Sequence, residues 1–319
     1  MSSRFRNKRN AITTFCLCFV FLIAVSQYWY NKSNLVANIR NGLQNEYSYN
    51  ILDGCYHVYI DVGTNIGVQI RKLFEPEKYP KAYVNPLFDS MFGNITERLK
   101  SSEDGGHVVC AIGFEPNSHH TNYLKEMESS YQKCGWKVNI FTETAASDRQ
   151  GTTRFYSDEA YSNMEWGGGI LSPNINKVAV TAKYKTSENF QDVQLIRLSD
   201  FLKNIVGTRK LPNLTNSSLP PPNVVMKMDI EGSEVDVLPD VLYTGGLQFV
   251  NNLMIEWHDR LEKLESRRIA QQELRLIVQT LSEHTKTMKA SNSKFNFNLI
   301  NLDDETYYTS KLELPHCSL

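Results

Sequence analysis

The stretch Tyr59-Ile60-Asp61-Val62-Gly63-Thr64-Asn65-Ile66-Gly67 constrains the fold more than any other part of the chain. His57 to Asp61 is β-rich and ends in a turn containing Gly63 and Gly67, and Val68 to Phe74 follows at helical spacing. Strand, glycine turn and helix in that order form the opening unit of an α/β sheet. The glycines let the backbone turn tightly and approach a ligand, while the start of the helix offers unpaired N–H groups. An ordinary strand-to-helix turn is the other reading of the same residues.

The rest of the chain keeps this alternation. A proline-punctuated segment, about 75–106, reads as an insertion with short helices. His107 to Phe114 is apolar throughout, as a strand buried on both faces would be. Thr121 to Tyr131 is helix-like, Lys137 to Phe141 and Thr153 to Tyr156 are strand-like, and Trp166 to Gly169 marks a flexible loop. Val193 to Leu198 reads as a strand, with Ser199 as the cap of a helix over Asp200 to Val206. Val224 to Asp229 is a strand, followed by a helix ending before Thr244, and then by the strand Asn252 to Glu256. Asp259 to about Thr287 is amphipathic and helical, and Lys294 to Ile300 with Glu305 to Thr309 suits a terminal hairpin. The expected fold is α/β, a doubly wound and mostly parallel sheet.

Ligands of such sheets sit beyond the carboxyl ends of the strands, so the acidic residues found there are the site candidates. The first loop reads Gly-x-Asn-x-Gly, which lacks the glycine pattern of a pyrophosphate site and disfavours a nicotinamide-dependent oxidoreductase. S-adenosylmethionine (SAM) carries an amino-acid ammonium that suits Asp61. Glu115, after the second strand, is placed to accept from both ribose hydroxyls, or else is a solvated carboxylate before Pro116. Ala145-Ala146-Ser147-Asp148 offers small and polar groups for an adenine ring. Asp229, Glu231 and Glu234 lie close enough in sequence to raise one another's pKa and hold a base or a substrate hydroxyl. Alternatively, the two glutamates serve only the dipole of the following helix. His258 follows a strand end and titrates near neutrality, as either a base or a cap.

These blocks, together with Leu198-Ser199-Asp200-Phe201-Leu202 and Ile255-Glu256-Trp257-His258, follow one another in an order that resembles the FkbM-type methyltransferases over roughly 57–309. The resemblance implies a Rossmann-like class I SAM-dependent fold of seven strands, the last antiparallel, and O-methylation of a hydroxyl. It implies that Asp61, Gly63, Asn65 and Gly67 line the methionine part of SAM, that Glu115 holds the ribose, and that Ser147 and Asp148 lie around the adenine. Asp229 and Glu231 would lie near the transferred methyl, with Asp229, Glu231 and His258 as the candidate bases. Ser199 stands where the family often has an acidic residue. The insertion, with Pro86 to Gly93, looks closer to animal membrane-anchored members than to short bacterial ones.

Composition bounds the partners. With 34 Lys+Arg against 35 Asp+Glu, the chain lacks the basic footprint of a nucleic-acid binder. Arg4, Arg6, Lys8 and Arg9 precede an uncharged apolar run, 11–30, long enough for a membrane span. The expected layout is a cytoplasmic tail at 1–10, a signal-anchor at 11–30, a stem at 31–54 and a catalytic domain at 55–319. This is a type II protein facing the Golgi or endoplasmic reticulum lumen; cleavage after Ala24-Val25-Ser26 is the rival. Sequons at Asn31, Asn94, Asn213 and Asn216 all follow the span. Cys55, Cys110, Cys134 and Cys317 allow two disulfides in three pairings, with Cys110 alternatively a buried thiol. No zinc-type Cys/His spacing occurs, and no metal is expected. A lumenal glycan or glycoconjugate is the expected acceptor. A non-catalytic, membrane-tethered binding or trafficking module is the alternative.

Overall fold

The computed structural model describes residues 50–101, 105–156, 168–171, 190–213, 219–288, 296–302, 304 and 313–315. The compact unit begins at Ile51, four residues before the expected boundary, and the side chain of Leu52 is already in its core. The expected tail and span, and the stem up to 49, lie outside the described residues. Among those described, no helix is long and apolar enough to cross a membrane.

The central sheet contains β1 (Cys55–Val62), β2 (His107–Glu115), β3 (Lys137–Thr142), β7 (Val224–Met228), β8 (Asn252–Ile255) and β9 (Asn298–Asn301), in the order β3-β2-β1-β7-β8-β9. Every pairing in it is parallel. The connecting helices are α1 (Val68–Phe74), α2 (Asn85–Phe92) and α3 (Ile95–Arg98) before β2, then α4 (Thr121–Lys133), α5 (Leu198–Phe201), α6 (Glu234–Tyr243) and α7 (Glu265–Met288). Alternate residues of β1 feed two cores. Val58, Ile60 and Val62 pack with β7 and α6 residues on one face, and Tyr59 packs with α1, α2 and α4 on the other. Both faces are covered, which is why the inner strands are apolar without alternation.

A second sheet, ordered β4-β6-β5, is formed by β4 (Thr144–Ser147), β5 (Gly151–Tyr156) and β6 (Phe190–Arg197). β6 runs parallel to β4 and antiparallel to β5. It has its own small core of Ala145, Phe155, Val193 and Leu195.

β9 joins β8 in parallel, so the last described strand is reached by a crossover, and the second arm of the expected terminal hairpin lies outside the described residues. An antiparallel seventh strand is absent among the described residues, and 305–309 lies outside them. Ser199 does not cap a helix: Arg197 is the N-cap residue of α5, and the buried Ser199 hydroxyl donates to Asp240 Oδ2 at 2.6 Å. The helix expected from Asp259 begins only at Glu265, because a short 3₁₀ turn, Asp259–Leu261, ends at Glu262 in extended backbone. Of the three possible cysteine pairings, Cys55 bonds Cys110 across β1 and β2, so Cys110 is no free thiol; Cys134 is also disulfide-bonded.

Candidate functional site

The register of β1 with its neighbours brings the first loop and two acidic strand ends together. Val62 lies opposite Phe114 of β2 and Met228 of β7, so Gly63, Glu115 and Asp229 emerge side by side. The Gly63 N–H donates to Phe114 O at 3.2 Å, and the Asp229 N–H donates to Val62 O at 2.9 Å. Gly63, at φ +94°, is required twice over: a Cβ there would stand 1.8 Å from Asp229 O. The chain crosses from the β2 side to the β7 side of β1, which makes this edge the switch point of the sheet.

A cavity of about 430 Å³ opens there. One wall carries Gly63, Asn65, Glu115, Asp229 and Glu231, and the other comes from the second sheet and the loop beyond it, through Ala145, Ala146, Phe155 and Gly168 to Ile170. Asn65 and Glu231, on this wall, are two of the three non-glycine residues with positive φ among those described, at +50° and +54°. Such backbone persists where surrounding structure enforces it, and it gathers at ligand sites.

Glu115 is fixed by two backbone donors, Asn65 N–H to Oε2 at 2.6 Å and Asn117 N–H to Oε1 at 2.8 Å. Each oxygen keeps acceptor capacity for a ligand on the cavity side. Burial pushes its pKa up to about 7 although these bonds favour the anion. Asp61 sits behind the loop, fully buried and off the cavity wall, with the buried Tyr59 hydroxyl beside its carboxylate. Burial raises Asp61 to about 7, with the nearby Lys227 opposing.

At the far end, the buried Lys227 ammonium donates to Asp229 Oδ2 at 2.5 Å. His258 lies behind the wall with Nε2 facing three carboxylates: Glu256 Oε1 at 3.3 Å, Asp229 Oδ1 at 3.6 Å and Glu231 Oε2 at 3.8 Å. Its Nδ1 lies 2.9 Å from the buried Glu234 Oε1, and because a carboxylate only accepts, Nδ1 carries the proton. Burial opposes charge on His258, but Glu234 and the other carboxylates hold its pKa well above the ordinary value. Burial likewise opposes charge on Asp229, yet Lys227 and His258 keep it below the carboxylate range. Burial lifts Glu231 to about 8. One small volume thus holds an unusual density of perturbed acids and bases, as active sites do.

The structure brings Gly63, Asn65, Glu115, Asp229 and Glu231 onto one cavity and sets His258 directly behind the last two. Gly67 instead begins α1, at φ +80°, where a Cβ would meet Met127 Cε at 2.5 Å. Ser147 and Asp148 lie off the cavity wall, joined to each other at 3.0 Å, while the preceding Ala145 and Ala146 line it. Sequence reasoning left two participants without a role, Lys227 and Glu256. Glu256 carries the same signal as Asp229, a carboxylate just past a strand end. Glu234 looked like a helix-start residue, which it is, and only the fold aims it at His258.

The sequence profile described as the methyltransferase FkbM domain matches residues 61–288, more than half of the chain. No curated protein and no solved structure matches significantly. With its parallel sheet, its glycine loop after the first strand and its acidic strand ends at the switch point, the chain belongs to the FkbM methyltransferase family.

Proposed function

We propose that the protein transfers the methyl group of SAM to a hydroxyl oxygen, and that the acceptor is a glycan or glycoconjugate of the secretory pathway. The observation that carries the reading is the single cavity between the Asn65–Glu115 loop and the Asp229, Glu231 and His258 cluster. The residues fit the cofactor. Glu115 has acceptor capacity toward the cavity for the ribose, and Phe114, Ala145 and Ala146 offer apolar surface for the adenine. The volume lies within the range of small-molecule sites, about 300–1,000 Å³.

Bound SAM supplies an electrophilic methyl on a sulfonium. The acceptor oxygen forms a bond to that carbon as the carbon–sulfur bond breaks, sulfur keeps the electron pair, and the hydroxyl proton leaves to a base. The protein aligns the acceptor and receives the proton. Asp229 and Glu231 face the cavity, and His258 Nε2 lies 3.6 Å from the first and 3.8 Å from the second. The buried Cys55–Cys110 disulfide supports an oxidising compartment, and the exposed sequon residues Asn94 and Asn213 are compatible with lumenal glycosylation. Both favour the lumenal arrangement, to which a membrane anchor at 11–30 would tether the domain.

The test is incubation of the full-length protein with methyl-labelled SAM and a glycan panel, beside Asp229→Asn. Label on a glycan hydroxyl, with SAM binding kept and transfer lost in the variant, is the expected result. A folded protein that binds no SAM points to the non-catalytic module.

A further inference from the structure

We infer that Asp229, Glu231 and His258 form a binding site for a divalent cation of the Mn²⁺ class, at the acceptor end of the cavity. One donor atom from each of the three lies within 4.8 Å of the others. A divalent ion holds oxygen and nitrogen donors at about 2.0–2.4 Å, so atoms on its coordination sphere stand up to roughly 4.8 Å apart. Ligands at about 2.2 Å in octahedral geometry stand about 3.1 Å apart when adjacent and about 4.4 Å apart when opposite. His258 Nε2 is 3.6 Å from Asp229 Oδ1 and 3.8 Å from Glu231 Oε2, between those spacings.

Further observations separate this cluster from a patch of acidic residues. Glu234, fully buried, fixes the proton of His258 on Nδ1 and aims Nε2 at the carboxylates. A carboxylate behind a ligating histidine is the standard outer-shell support of a metal site. Next to Glu231 and Glu234, the Ser233 hydroxyl is 1 % exposed, has no hydrogen-bond partner and lies on the wall of the same cavity. A buried hydroxyl without a partner costs stability, and water on a bound ion would supply the missing bond.

Among the described residues, two fixed cations touch the cluster. Lys227 occupies Asp229 Oδ2, leaving Oδ1 toward His258, and Arg260 lies 3.5 Å from Glu256 Oε1, the remaining acid around Nε2. Oxygen ligands suit Mg²⁺, Ca²⁺ and Mn²⁺, and an imidazole suits the transition ions, so the mixed set of two carboxylates and one imidazole fits Mn²⁺, the transition ion among the three. Placed beside the acceptor, such an ion polarises a hydroxyl and eases loss of its proton. That last role rests on the methyl-transfer reading, but the site itself does not.

The experiment is titration of full-length protein with Mn²⁺ alone, read by loss of the free-ion electron paramagnetic resonance signal. One ion bound per chain is expected, with affinity lowered at least tenfold in His258→Gln and in Asp229→Asn, and unchanged in Glu97→Gln, whose carboxylate pairs with Lys100 off the cavity wall. Circular dichroism identifies variants that fail to fold, and Glu231→Gln provides a third, independent ligand substitution. Folded wild-type protein that binds no Mn²⁺, or folded variants that all bind as wild type does, overturns the site. Mn²⁺ bound without SAM turnover leaves the site standing and counts against the methyl-transfer reading. Methyl transfer unaffected by chelator, with no Mn²⁺ bound, does the reverse.

Discussion

The Asn65 backbone N–H donates to Glu115 Oε2 at 2.6 Å, across 50 residues of sequence, and so clamps the loop after β1 to the end of β2. Both halves of the proposed cofactor wall are set by one bond. The carboxylate that makes it is buried, which links it to pH.

Glu115 has a pKa near 7 in the folded protein against an ordinary 4.5. An acid whose folded pKa is raised binds more protons folded than unfolded between those values, so its contribution to stability falls as pH rises from about 4.5 to about 7 and is level above. Glu115→Gln removes this dependence. Melting curves from pH 5 to pH 8 should show the variant gaining on wild type as pH rises, by up to roughly 3 kcal/mol. A constant offset would mean that Glu115 does not titrate in this range.

Gly63→Ala should destabilise by roughly 3 kcal/mol or more, because the new methyl meets backbone that cannot retreat and the φ is wrong for alanine. Gly135→Ala is the control. Its φ is +77°, but nothing lies within 4 Å of the added Cβ, so only the backbone cost of about 1–2 kcal/mol applies. Thermal melts of both variants decide whether close approach or backbone conformation dominates at the loop.

Replacing both Cys55 and Cys110 with alanine should cost about 4 kcal/mol, from the chain entropy released when the cross-link across 55 residues is lost. Urea unfolding of wild type and the double variant measures it. The bond lies between β1 and β2, at the ends remote from the cavity. Ligand affinity should therefore change little while the fold holds.

Asp240→Ala should lower stability by roughly 2 kcal/mol and leave transfer intact. Asp240 accepts from Arg197 at 3.0 and 2.5 Å and from Ser199 at 2.6 Å, joining α6 to α5, and its loss leaves both donors without that partner. A variant equally stable but impaired in transfer would give this pair a functional role.

Much of the fold was legible in local pattern. Val68–Phe74 is helical as its spacing indicates, and β2 and β7 are apolar because both faces are covered. The acidic strand ends were legible too, since a parallel sheet aligns the carboxyl ends of its strands. What escaped depends on distant pairing. Thr144–Ser147 shows no strand pattern of its own, yet becomes a strand once β6 lies beside it, some 50 residues later. Ser199 carries the signature of a cap, and only the position of Asp240 turns its hydroxyl elsewhere. Glu234 and His258 are 24 residues apart, and no spacing rule joins a helix start to the far end of the next strand.

The second sheet sets how this enzyme can diversify. The loop wall grows out of strands buried on both faces, where almost any replacement disturbs the main core. The opposite wall stands on β4, β5 and β6, whose core is four residues with Ile170 packed against them and whose other positions are largely exposed or half-exposed. Ile170, in the loop beyond that sheet, packs against its small core and lines the cavity, so substitutions at this position reshape the cavity without touching the main core. New cavity shapes are therefore cheapest to acquire, and to select in a library, there.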